Sequence, residues 1–225
     1  MGSHYGTHQM SEIMEQTTMS DWINDYQRWL SEEESLQNAQ LVVNHFVGSD
    51  WTRESLSAML GNMRHESSIN PNMYEYGYDW SEDRGFGLVQ WTPRSKYWDW
   101  ALANGYSESE LRDGNAQLSR IDYEVDNNIQ WIPRDSIDNL TFVEFRTNSR
   151  GWSIDALTEA FTWGYERPNQ QAGEESMPSR IAFAYRCYNE LDWTGTGGGD
   201  TPTPETKNDI IPLLLCGAMK GWYRN

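Results

Sequence analysis

The chain has 225 residues, with 34 Asp plus Glu against 17 Lys plus Arg, and the resulting net charge of −17 repels nucleic-acid phosphates and excludes DNA or RNA as a partner. A mean hydropathy of −0.80 and the lack of any apolar run of about 18 residues leave no transmembrane segment. A load of 12 Trp, 12 Tyr and 6 Phe, in turn, is more ring surface than a disordered chain normally carries.

Two cysteines, Cys187 and Cys216, make neither a disulfide framework nor a zinc spacing and are expected as free thiols. The N-terminus shows no basic flank and apolar core of a signal peptide, so the protein is expected to be made in a cytoplasm and to reach any outside target by a route other than secretion.

Residues 1–19 are polar and aperiodic, and are read as an unstructured start. Trp22, Tyr26 and Trp29 fall at spacings of four and three, which fits a short helix or an arm wrapped on the body. Ser31 with Glu34 forms a capping box that opens a helix with Leu36, Ala39, Val42, Val43 and Phe46 on one face, closed at Gly48. Thr52 caps the next helix, whose apolar stripe is Leu56, Met59, Leu60 and Met63 and which ends at Ile69-Asn70-Pro71.

The Tyr-, Gly- and Asp-rich stretch to Gly87 has no period and reads as a long loop or small hairpin. Thr92-Pro93 starts a helix through Ala103; boxes at Ser107/Glu110 and Thr141/Glu144 open helices over about 108–127 and 142–148. Ser153 starts one to about Trp163 and Ser176 the last, through Leu191. The expected organisation is therefore a mainly α domain over 20–194, a Gly/Thr/Pro linker over 195–206, and a short segment 207–225 that could anchor to a partner.

Glu66 continues the stripe of Met59 and Met63 at helical spacing, so a carboxylate points toward an apolar wall. It either curls back to water, paired with a cation such as Arg64, or it is desolvated. A desolvated carboxyl holds a proton near neutral pH, as a general acid for glycosidic cleavage must. Gly85 and Gly87 flank Phe86 and allow either a close backbone approach to a ligand or another chain, or a tight turn on the core; Gln90 beside them can donate to and accept from an acetamido group.

His65-Glu66-Ser67-Ser68-Ile69-Asn70-Pro71-Asn72 followed by Gly87-Leu88-Val89-Gln90 resembles the ESS-x-NPN and GLxQ motifs of goose-type lysozymes and lytic transglycosylases. More closely, NAQLVVNHF, WTRESLSAMLGNMRHESSINPN, GFGLVQWTPRSKYWDWA and FTWGYERP resemble the phage tail lysozyme family over roughly residues 35–192.

The resemblance implies an α+β lysozyme-like fold, Glu66 as catalytic acid, Gln90 in the cleft wall and the Glu166-Arg167-Pro168 segment at its border. Ser67, Trp91, Tyr165 and Glu166 join Gln90 as expected substrate-binding residues, while Trp100 and Trp131 are assigned to packing. A second carboxylate is sought among Asp79, Glu82 and Asp83 in the loop, unless the substrate's own acetamido group assists; as plain residues these three form a solvated face.

Neither a cofactor nor a metal is expected, because His4, His8, His45 and His65 do not cluster. The implied activity is hydrolysis of the β-1,4 bond after N-acetylmuramic acid in peptidoglycan glycan strands, by a virion-tail protein seated among other tail proteins. The alternatives are a lytic transglycosylase using the same Glu66, or a wall-binding tail module without chemistry.

Overall fold

A computed structural model describes residues 22–194. The expected unstructured start, the linker and the segment 207–225, with Cys216, His4 and His8, lie outside the described residues. Seven α-helices carry the described chain: α1 Glu32–His45, α2 Arg53–Ser67, α3 Ser95–Ala103, α4 Gly114–Asp126, α5 Phe142–Thr147, α6 Ile154–Phe161 and α7 Gln170–Glu190. Strand pairing among the described residues is confined to two isolated antiparallel bridges, Tyr74 with Phe86 and Phe86 with Trp91. The architecture is mainly α, and the stretch 71–87 is a loop pinned to the body through Phe86.

Local chemistry sets most helix starts. Ser31 and Thr141 close reciprocal capping boxes with Glu34 and Glu144; Thr52 does the same with Ser55, and Ser153 caps α6 by accepting from the Ala156 amide. Each such cap satisfies amides that the first turn leaves without a carbonyl.

Of the two alternatives for residues 22–30 the structure has the arm, with Trp22 and Leu30 buried as its two anchors. Three expected boundaries move. Helix α3 starts at Ser95, two residues past Pro93, because the Asp83 carboxylate accepts from both the Ser95 amide (2.9 Å) and the Ser95 hydroxyl (2.9 Å) and substitutes for a local cap. The helix expected over 108–127 is broken into a single 3₁₀ turn, Glu110–Arg112, and α4, which Asp113 caps. Helix α7 begins at Gln170, capped by Asn169, whose side chain accepts from the Ala172 amide, and runs through Pro178 rather than starting at Ser176.

The central element is α2. Instead of one apolar stripe it buries almost its whole circumference, Ser55 through Met63, against its neighbours α1, α5, α6 and α7. Small residues make that possible. A Cβ on Gly61 would sit 2.3 Å from the Arg180 carbonyl oxygen, so only glycine lets the α2 and α7 backbones come this close. Around it lie Phe46, Trp51, Trp131, Phe142, Phe145 and Phe161, a ring-rich core in which each fully buried large side chain contributes on the order of 1.5–3 kcal/mol. Trp131 is packing, as expected, and Cys187 is a buried free thiol.

Candidate active site

The last turn of α2 opens onto a cleft of roughly 1190 Å³. One wall is helical and carries Glu66 and Glu166; the other is the loop, contributing Met73 through Gly77, Gly85 and Gln90; the arm closes one end with Gln27 and Trp29, and Lys96, Gln130 and Arg167 lie at the cleft as well.

Glu66 keeps 20% of its side chain exposed and accepts from Arg180 Nη2 at Oε1, 2.6 Å away. The cation is therefore Arg180 of α7, not the sequence neighbour Arg64, whose guanidinium lies over the Trp29 ring. Arg180 is 1% exposed and is held on its other sides: Nη1 donates to Asn62 Oδ1 at 2.7 Å and Nε to Ser176 Oγ at 3.0 Å. Asn62 is itself fixed, donating to the Ala58 and Thr158 carbonyls while the Thr162 hydroxyl donates to its Oδ1. A buried charge is tolerable only with such complete partnering. Arg180 thus engages Glu66 at one oxygen while the carboxyl lines the cleft.

Glu166 reaches the same cleft from the end of a five-residue π-helical turn, Thr162–Glu166, which follows α6 and stops at Arg167 in the left-handed region (φ 55°). Widened helical turns of this kind often sit at functional sites. Its Oε1 is shut off from solvent and has no hydrogen-bond partner among the described residues. Burial and then the nearby charge of Glu66 push the Glu166 carboxyl well above the usual range, with Arg180 and Arg167 opposing.

The two sequence motifs prove to be stitched together and to the arm. Ser67 is fully buried and donates to the Leu88 carbonyl at 2.9 Å, tying the first motif to the second. Ser68 Oγ accepts from the Leu30 amide, Asn70 donates to the Asp25 and Arg28 carbonyls, and Asn72 donates to the Asn24 carbonyl. Gln90, at φ 49°, donates through Nε2 to the Met73 and Gly87 carbonyls, which fixes its amide at the cleft wall. The close approach at Gly87 (φ +81°) is to Gln117, whose Oε1 would lie 2.5 Å from an added Cβ, and not to a ligand. The Gly-Phe-Gly stretch is thus a turn on the core.

Other expected site residues lie elsewhere. Ser67, as its bonds show, is structural. Trp91 is buried, stacks on Tyr97 (4.9 Å between ring centres) and donates from Nε1 to Glu124; Tyr165 is fully buried, stacks on Phe161 (4.6 Å) and donates its hydroxyl to the same carboxylate. Glu124 also accepts from Arg120 Nε at 2.9 Å, so this one interior carboxylate draws both rings away from the cleft. Asp79, Glu82 and Asp83 are exposed and are not among the cleft-lining residues: Asp79 accepts from the Ser81 amide and hydroxyl, and Asp83 serves α3. The loop acid that does line the cleft is Glu75, whose Oε2 accepts from the Gly85 amide at 3.0 Å.

Sequence reasoning missed Glu75, Arg180, Asn62, Glu124 and the cleft ring Trp29. Only Trp29 carried a signal, since the spacing of the arm's aromatics can bury just some of its rings. Among the described residues no group of His, Cys, Asp or Glu is placed to hold a metal ion, and no helix is long and apolar enough to cross a membrane.

A mainly helical body with an acid-lined cleft at the end of its central helix defines a lysozyme-like protein. Residues 37–191 match the phage tail lysozyme family, and the chain belongs to it. Over 185 residues it is 38% identical to morphogenesis protein 1 of Bacillus phage B103, a match covering 82% of this chain and 47% of that protein. The chain spans about half the length of this relative.

Proposed function

We propose that this protein is a virion-associated peptidoglycan hydrolase, cutting the β-1,4 bond between N-acetylmuramic acid and N-acetylglucosamine with Glu66 as general acid. The observation that carries the reading is Glu66 itself: a partly exposed carboxyl lining the cleft and gripped at one oxygen by a buried guanidinium. Positioned proton donors of this kind contribute about 10²–10⁴ in rate. Trp29, 48% exposed at the end of the cleft, offers a ring face to a pyranose, and the fixed amide of Gln90 offers a polar contact to an acetamido group. In this reading Glu75, the loop carboxylate that lines the cleft, activates the water. Membership of a tail lysozyme family, and a relative named for phage morphogenesis, support a place on the tail, among other tail proteins, where the enzyme would open the wall during DNA entry.

The test is digestion of purified walls followed by mass spectrometry of the fragments. Reducing N-acetylmuramic ends are expected from wild type, with loss of at least about 100-fold in Glu66→Gln of unchanged fold. Anhydro-muramic ends would establish transglycosylation instead, and intact walls that retain bound protein would establish a binding module.

A further inference from the structure

Two of the residues lining the cleft are cations, Lys96 in the first turn of α3 and Arg167 just after the π-helical turn. They come together on one residue. Gln130, at φ 68°, accepts from Arg167 Nη1 at its backbone carbonyl, holds its side-chain Oε1 at 3.5 Å from Lys96 Nζ, and donates from Nε2 to the Tyr165 carbonyl at 3.3 Å. Arg167 Nη1 also donates to the Gly164 carbonyl at 3.0 Å, and the other two nitrogens of that guanidinium have no acceptor among the described residues. No carboxylate among the described residues forms an ion pair with either cation.

Neither placement helps the fold. A lysine in the first turn of a helix opposes a dipole whose amino end is already positive, and two like charges sharing one partner repel each other. Burial first and then the Arg167 charge draw the Lys96 ammonium below the ordinary lysine range; Arg120 adds to that, while Glu124, ion-paired to Arg120, opposes it. In a chain of net charge −17, an anion from outside the chain is what would relieve both cations.

Resting on the glycosidase reading, we propose that Lys96, Arg167 and Gln130 form a carboxylate subsite that grips the acid carried on O3 of the muramic residue and so sets which of the alternating β-1,4 bonds meets Glu66. The two sugars of the strand share a pyranose ring and an acetamido group. They differ in the lactyl ether at O3 of muramic acid, which ends in a free carboxyl on a bare strand and otherwise carries the stem peptide with carboxyls of its own. A ring such as Trp29 and an amide such as Gln90 meet both sugars alike, whereas a charge-assisted hydrogen bond to a carboxylate selects one of them.

The experiment titrates the full chain carrying Glu66→Gln, which leaves strands uncut, with soluble oligosaccharides of alternating N-acetylglucosamine and N-acetylmuramic acid, after circular dichroism has verified the fold. One pair of strands is bare, with the lactyl carboxyls either free or blocked as methyl amides; the other pair carries stem peptides, with carboxyls either free or amidated. A preference of about tenfold or more for the free acid in the bare pair assigns the lactyl carboxyl, the same preference in the peptide pair assigns the stem, and none in either overturns the subsite. Adding Lys96→Gln should cut the preference to about threefold or less, and Lys96→Arg should keep it. An undiminished preference in Lys96→Gln overturns the assignment.

Wild type gives a second measurement that needs no variant. With each pair offered as competing substrates, kcat/KM should favour the free acid by a similar factor in at least one pair, and a ratio near one in both overturns the subsite. Carboxylate-dependent binding without cleavage by wild type overturns the glycosidase reading and leaves the anion site standing, whereas cleavage without the preference overturns the subsite alone.

Discussion

The two walls of the cleft are built in opposite ways. The helical wall consists of side chains: Glu66, Arg180, Asn62 and Thr162 lock one another across α2, α7 and the start of the π-helical turn, far apart in sequence and mostly buried. The loop wall consists of backbone: Glu75 exchanges bonds with Gly85, and Gln90 is fixed by the carbonyls of Met73 and Gly87, while Tyr76 and Trp80 project into solvent. The difference separates two tasks. In the proposed reaction a proton is delivered to one atom and needs rigid, partnered charges, whereas a glycan chain is admitted and released, and backbone-pinned loops with exposed rings suit that.

The comparison can be broken first at its support. Glu124 joins Arg120, Trp91 and Tyr165 beneath the site, and burial pushes its carboxyl up against those donors, the Tyr165 hydroxyl foremost, which favour the ion. Glu124→Gln, which strips the charge opposite a buried guanidinium, should cost about 3–5 kcal/mol in urea unfolding. A cost under about 1 kcal/mol would show that the helical wall does not rest on this hub.

A smaller effect sharpens the same point. The folded value of Glu166 lies above its unfolded one, so the native state keeps a proton that the unfolded chain releases. That carboxyl therefore disfavours the fold increasingly as pH climbs from the ordinary glutamate range toward the raised value. Relative to Glu166→Gln, wild type should lose stability as pH rises above the ordinary glutamate range, read as the difference in unfolding midpoints. A difference independent of pH would remove the buried-proton account.

The smallest effect belongs to the loop. Asp83→Asn weakens the surrogate cap of α3 and should cost about 0.5–2 kcal/mol, while wall digestion stays within about twofold of wild type. A large activity loss without a stability loss would return the second carboxylate to the position first expected for it.

What the sequence disclosed follows the range of the interactions. Ser31/Glu34, Thr52, Thr141/Glu144 and Ser153 act within four residues and could be read directly. So could the end of α2, where Glu66 sits. Ser176 as a cap residue predicts too short an α7, because the helix is capped upstream by Asn169 and its packing on α2 outweighs the bond lost at the internal Pro178.

Arg180 lies 114 residues from Glu66, and no local pattern announces such a partner. Trp91 and Tyr165 were placed in the cleft by adjacency to motif residues, yet neighbours in a chain often face opposite ways, and Glu124 provided an interior partner for both. Asp79, Glu82 and Asp83 drew attention as a cluster, while the isolated Glu75 was the acid whose backbone, paired to Gly85, turned toward the cleft.

The arm carries one practical lesson. Its residues 22–30 precede the stretch that matches the family, residues 37–191, yet they hold Gln27 and Trp29 at the mouth of the cleft through Ser68, Asn70 and Asn72. A recombinant fragment cut at the edge of the family match would keep Glu66 and helices α2 to α7 but lose the capped first turn of α1. It would also lose one end of the groove, leave two asparagines without their carbonyl partners and uncover the Gly114 end of α4 against which Trp22 lies. Such a fragment would serve for testing the proposed role of Glu66 but would understate any affinity of the intact protein for a glycan.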